Sequence, residues 1–215
     1  MEWIGEGMIW IVAIVLIVLA GLNAPLALCT LSLAALNGVV VLQPDIAWVG
    51  TPWLFWIALA LLAAQLLLDL YFVPITVRDR IYLNPQRTQN AYLHARVQSL
   101  WRPLVAAVVT AALPLPVPDW LAASVGFTCA SACYWLTAWI REYVAITRGA
   151  LVLLVIETLK NASLLALASI VFWLPPLALG LLIWLLLPMI IWTMRLQREQ
   201  MLYTPYGGQS AREDS

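Results

Sequence analysis

Charge is what this chain has least of. Asp, Glu, Lys and Arg together make up 10% of its 215 residues, against about 25% in an ordinary soluble domain. So few charges cannot coat the surface of a soluble fold. With 64% hydrophobic residues, the chain is equally unlike a disordered one, which needs low hydrophobicity and high net charge. The class that remains is an integral membrane protein.

Other absences narrow the chemistry. A single histidine, His94, excludes bis-His haem, His-rich zinc sites and most His-based catalytic triads. Three cysteines, Cys29, Cys129 and Cys133, make no disulfide framework. Cys129 and Cys133 are spaced i, i+4 but lack a third ligand, so they read as small hydrophobes. The glycines neither cluster with Lys nor follow a strand, so no phosphate loop or dinucleotide fingerprint is present. Formal net charge is zero, which does not support a nucleic-acid footprint. Neither a cofactor nor a metal is expected.

What the chain does have is apolar runs. With ~20 residues per spanning helix as the ruler, seven segments stand out: 3–21, 24–41, 52–72, a short 103–116, 120–140, 150–173 and 177–194. The fold class expected is an all-α transmembrane bundle of six to seven helices. The lower count applies if the first 41 residues or the 103–116 segment form a re-entrant hairpin. Residues 1–194 would be one transmembrane domain with an Arg-rich loop at 74–102, and residues 195–215 a polar tail.

Ten of the eleven basic residues are Arg. With the N-terminus outside, Arg78 to Arg102, Arg141, Arg148 and Arg195 all fall on one side, while Glu2, Glu6, Asp45 and Asp119 fall on the other. That is the positive-inside asymmetry. It predicts a multi-pass protein of the cell (inner) membrane with a cytoplasmic C-terminus. A cleaved signal peptide is not expected, because Glu2 and Glu6 stand where a basic n-region belongs. Most of the twelve Trp lie near segment ends, as in an interfacial aromatic belt.

Four features break the apolar pattern. Gly21-Leu22-Asn23-Ala24-Pro25 reads as a break in a helix or a turn at the cytoplasmic face; irregular backbone at membrane depth needs protein or water to satisfy it. Glu157, Lys160 and Asn161 sit inside the sixth segment on one helical face, the Lys some ~15 Å from either surface. Intramembrane ionisable groups are expensive, and a proton relay or substrate site is their default reading; self-pairing that only holds helices together is the alternative. Asp69 ends the third segment, and Asp79 lies between Arg78 and Arg80. Leu93, Val97, Leu100 and Trp101 are spaced as a helix lying in the interface, with Arg87 and His94 towards water, after which Arg102-Pro103 would start the fourth helix.

Asn23-Ala24-Pro25-Leu26 also matches Asn161-Ala162-Ser163-Leu164, which fits two three-helix repeats joined by a linker helix; a chance match explains it equally. The order Gly21-Leu22-Asn23-Ala24, then Asp69 with Pro74 and Asp79, then Arg102-Pro103, then Arg148 ahead of Asn161 and Ser163, resembles a family of small bacterial polytopic membrane proteins known only as a domain of unknown function. The likeness spans residues 21–187. It implies membrane residence and a shared set of polar positions, and no activity.

These residues point first to a small transporter or lipid-handling permease. Asn23, Glu157, Lys160 and Asn161 would form the substrate or proton pathway, with Glu157 as proton carrier. Asp69 and Asp79 would pair with Arg102 or Arg148 as a cytoplasmic gate. The expected partners are the bilayer, anionic head groups at the Arg-rich loop, and a second copy or a membrane partner subunit. A non-catalytic accessory subunit is the second reading. A lipid-directed enzyme using Asp69 and Asp79 ranks last.

Overall fold

Proline punctuates the chain. Pro52, Pro85 and Pro175 each open a helix, and Pro25 lies in the first turn of another, where the missing N–H costs nothing. The computed structural model describes residues 6–82, 85–147 and 150–203, with the side chains of 6, 70–92, 142, 145–150, 189, 192, 193 and 196–203 outside what it describes. The described residues are all-helical, without a strand: α1 (Glu6–Leu22), α2 (Ala24–Leu36), a 3₁₀ segment (Pro44–Gly50), α3 (Pro52–Tyr82), α4 (Pro85–Ala112), α5 (Asp119–Thr147), α6 (Ala150–Ile170) and α7 (Pro175–Tyr203).

Each apolar run overlaps a helix, and among the described residues three stretches are long and apolar enough to cross a membrane: Pro52–Asp69 in α3, Asp119–Arg141 in α5 and Leu151–Ile170 in α6. α2 has 13 residues and is ~20 Å long at ~1.5 Å per residue, short of a ~30 Å hydrocarbon core. Of the expected six to seven crossings, length and composition support three among the described residues.

Two compact units are present, Met1–Leu179 and Gly180–Ser215. The described part of the second is the remainder of α7, which continues through Pro188. In the first unit, hydrogen bonds fix the direction of neighbouring helices. Thr110 Oγ1 donates to Ala122 O at 3.0 Å, and Tyr134 Oη donates to Ala95 O at 2.7 Å. One position falls as the other rises, so α4 and α5 are antiparallel. Between those bonds lies Gly126, where a Cβ would fall on Thr110 Oγ1 and 2.8 Å from Ala106 O. Small residues here let two backbones approach closely. α2 is the innermost helix, with ten of its 13 residues buried, packed against α1, α3, α4, α6 and the 3₁₀ segment.

Three expectations are corrected. α4 does not begin at Arg102-Pro103; it runs from Pro85 to Ala112 with Pro103 inside it. The segment expected in the interface is part of that helix, and its polar side at His94 is turned inward rather than towards water. Leu93, Val97 and Leu100 are exposed, whereas Arg102 is buried and His94 faces Asp69. The reason is partnership: His94, Gln98 and Arg102 recur at i, i+4 and i+8, a single stripe that finds polar groups within the unit. Finally, the two Asn of the short repeat differ, since Asn23 separates two helices while Asn161 lies within an unbroken one.

The α4–α5 contact makes a direct test. Gly126→Ala is expected to destabilise the protein by about 1–3 kcal/mol through overpacking, read as a lower midpoint of thermal unfolding in detergent. Gly180→Ala, whose Cβ meets nothing within 4 Å, should be neutral or mildly stabilising.

Candidate functional site

α5 and α6 are joined across residues 148–149, so the end of one meets the start of the other. Arg141 lies six residues before Thr147, and Glu157 seven residues after Ala150, which brings them to one level. Arg141 Nε donates to Glu157 Oε1 at 2.9 Å, and Lys160 Nζ, one turn along α6, donates to Glu157 Oε2. Glu157 is buried. The sequence pattern pairs Glu157 with Lys160 alone and leaves Arg141 in a cytoplasmic loop. In fact α5 extends past Arg141 to Thr147, and a buried carboxylate draws that guanidinium inward.

A second carboxylate stands nearby on α3. Asp69 is buried; its Oδ1 lies 3.8 Å from His94 Nε2, and its Oδ2 has no hydrogen-bond partner among the described residues. Its charge is felt from Arg141, Lys160 and Arg102. One turn earlier on the same face comes Gln65, only 4% exposed, with neither amide atom paired. Asn161 Oδ1, beside Lys160, is also unpaired. Each such buried group costs about 1–3 kcal/mol, so three in one neighbourhood call for a reason.

Arg102 ties this cluster to the break after α1. Its Nε donates to Gln98 Oε1 at 2.8 Å, its Nη1 donates to Gly21 O at 3.3 Å, and its guanidinium lies 5.3 Å from the Tyr134 ring centroid. A cation on the last turn of α1 satisfies a free carbonyl and opposes the negative end of the helix dipole. Across the break, Asn23 is the N-cap of α2, its Oδ1 accepting from Leu26 N at 3.2 Å. The break is not at the end of the neighbouring helices. A Cβ on Gly21 would stand 2.9 Å from both Ala130 O and Cys133 Cβ, midway along α5. The turn expected at the cytoplasmic face is therefore at mid-height in the unit.

Of the residues singled out by sequence, Asp69, Arg102, Glu157 and Lys160 are brought within electrostatic reach of one another, with Asn161 adjoining Lys160. Asn23 is one step removed, linked through Gly21 and Arg102, and its side-chain oxygen serves as a helix cap. Arg148 and the Asp79 side chain lie outside the described residues, so the gate drawn through them is not described. Sequence reasoning missed Gln65, His94 as an inward group, Gln98, Tyr134 and Arg141. The signal was there: Gln65 and Asp69, and His94, Gln98 and Arg102, are polar stripes at helical spacing in apolar surroundings.

Among the described residues, no group of three or more His, Cys, Asp or Glu could hold a metal ion, and the three cysteines are free. Comparison of the chain with protein-family models, curated proteins and solved structures finds no match. What the cluster does is therefore read from its own chemistry.

Removing one partner of a buried ion pair costs about 3–5 kcal/mol, whereas replacing all partners by apolar residues is near neutral. Glu157→Met is expected to lose stability on that scale, because Arg141 and Lys160 then confront each other. Adding Arg141→Met and Lys160→Met should restore most of it. Denaturant unfolding of the single and triple variants checks this.

Proposed function

We propose that this chain is a multi-pass membrane protein acting as a small transporter or lipid-handling permease, with the buried charged cluster on α3–α6 as its polar site. Membrane residence is supported by the outer surface of the first unit. Trp53 at the start of α3 is 80% exposed, and Trp120 at the start of α5 and Trp173 after α6 are also exposed. Antiparallel neighbours bring those ends to one side, where an aromatic belt belongs. The described ends of α3 and α5 and the starts of α4 and α6 lie at the opposite end, next to the Arg-rich stretches of sequence, which makes it the cytoplasmic side by the positive-inside rule.

The observation that carries the transport reading is the set of unpaired groups among buried charges: Gln65, Asp69 Oδ2 and Asn161 Oδ1. A cluster serving only to hold helices together would satisfy its own members. The two carboxylates have separate tasks here. Glu157 has both oxygens engaged by cations, so it acts as a fixed counter-ion. Asp69 keeps one oxygen open beside His94, so it is the carboxylate placed to exchange a proton or meet a solute.

Two measurements test the proposal. Impermeant maleimide should label Asp45→Cys, in a cysteine-free chain, in intact cells, and Gln209→Cys only after permeabilisation; the reverse pattern overturns the orientation. Proteoliposomes on a solid-supported electrode, exposed in turn to organic and inorganic anions, amines and zwitterions, should give solute-driven currents that Asp69→Asn lowers at least tenfold. Currents no larger than those of protein-free vesicles, or an Asp69→Asn variant equal to wild type, overturn transport.

A further inference from the structure

The cluster contains more positive charge than it neutralises. Arg102, Arg141 and Lys160 face two carboxylates, Asp69 and Glu157, among the described residues. Counting the described side chains of these five groups alone, one positive charge is left over. Donors are also in surplus. A guanidinium has five N–H groups and an ammonium three. Among the described residues Arg102 uses its Nε and one N–H on Nη1, Arg141 uses its Nε, and Lys160 gives one N–H to Glu157. A buried net charge of this kind is costly and calls for a counter-ion.

Acceptors without partners belong to the same neighbourhood: Asp69 is within electrostatic reach of the three cations, Gln65 is one turn from it on α3, and Asn161 follows Lys160 on α6. Among the described residues, Asp69 Oδ2, Gln65 Oε1 and Asn161 Oδ1 receive no hydrogen bond, and Gln65 Nε2 gives none. A ligand suited to both halves of this inventory must be an anion that also donates. A halide or a simple carboxylate such as acetate supplies the charge but no O–H. A phosphate monoanion supplies both: its unprotonated oxygens accept from guanidinium and ammonium groups in the geometry these cations favour, and its hydroxyl donates to a carboxylate or amide oxygen.

We infer that the cluster formed by Gln65, Asp69, Arg102, Arg141, Lys160 and Asn161 is a binding site for a hydroxyl-bearing phosphate monoanion, either inorganic phosphate or the monoester head group of a lipid. The ligand's single negative charge cancels the surplus. Its P–O oxygens take the spare donors of Arg141 and Lys160, and its P–OH is directed to Asp69 Oδ2. Entry is past Arg141, whose side chain is 32% exposed while those of Glu157 and Lys160 are at 10%. This deepens the permease reading by naming its substrate class, yet binding is measurable without transport.

The test uses the full-length chain purified in detergent and in phosphatidylcholine nanodiscs. Sodium phosphate, against sodium chloride and sodium acetate at equal ionic strength, is titrated while the thermal midpoint and the heat of binding are recorded. Nanodiscs with and without phosphatidic acid form the second arm. Saturable stabilisation by inorganic phosphate alone assigns a free anion, and stabilisation by phosphatidic acid alone assigns a lipid head group. Either supports the site. Lys160→Gln should weaken binding at least tenfold. Gln65→Leu should do the same while raising the midpoint of the ligand-free protein, since it removes an unpaired buried amide; that pair of changes keeps the test decisive where Lys160→Gln fails to fold. The inference is overturned if neither phosphate form binds saturably, if acetate or chloride stabilises as well as phosphate, or if Gln65→Leu binds like wild type. Phosphate binding without solute currents removes transport and keeps the site; currents without phosphate binding do the reverse.

Discussion

A carboxylate stays ionised in an apolar interior only if cations reach it, and that requirement sets how α5 and α6 meet. Glu157 holds Arg141 from α5 on one oxygen and Lys160 from its own helix on the other. A shift of one residue along either helix turns a side chain by about 100° and separates the pair. The interval at 148–149 alone would tolerate several alignments; the buried charge selects one. Because removing one member of such a group costs several kcal/mol, the register is enforced by what would be left unpaired more than by the attraction gained.

The same constraint reaches the break between α1 and α2. Ending one helix and starting another at mid-height leaves carbonyls and N–H groups without partners. Arg102 supplies a donor to Gly21 O, and Asn23 supplies an acceptor to Leu26 N. Arg102 in turn needs a counter-charge, which Asp69 and Glu157 provide at longer range. The discontinuity and the charged cluster are thus one electrostatic system. The backbone defect is stable because a cation is available, and the cation is stable because two carboxylates are close.

Composition made the all-helical class legible, and the apolar runs located at least part of each α-helix, because hydrophobic burial is written residue by residue. Glu157, Lys160 and Asp69 were legible for the opposite reason: a charge inside an apolar run is conspicuous. Arg141 was not, because it lies at the end of its run and nothing local tells a loop cation from an inward one. His94 was misassigned to a water-facing side because its helix was read against water. Its i, i+4, i+8 companions Gln98 and Arg102 show a polar stripe turned inward and an apolar one turned out. Helix lengths were beyond reach where Pro103 mimics a start signal, since a proline inside a helix and one at its first turn look alike in sequence.

The two ends of α5 differ in how readily they could part from their neighbours. Around Gly126 the contact with α4 is between backbones, with Thr110 Oγ1 bonded to both Ala106 O and Ala122 O. Separating the helices there would open a dry gap and strand carbonyls. Around Arg141 the contact is made by long side chains whose polar ends water or an anion can solvate, and Arg141 is already part-exposed. Opening therefore costs less at the charged end than at the glycine end. The groups left without partners among the described residues, Gln65, Asp69 Oδ2 and Asn161 Oδ1, belong to the charged side of the unit.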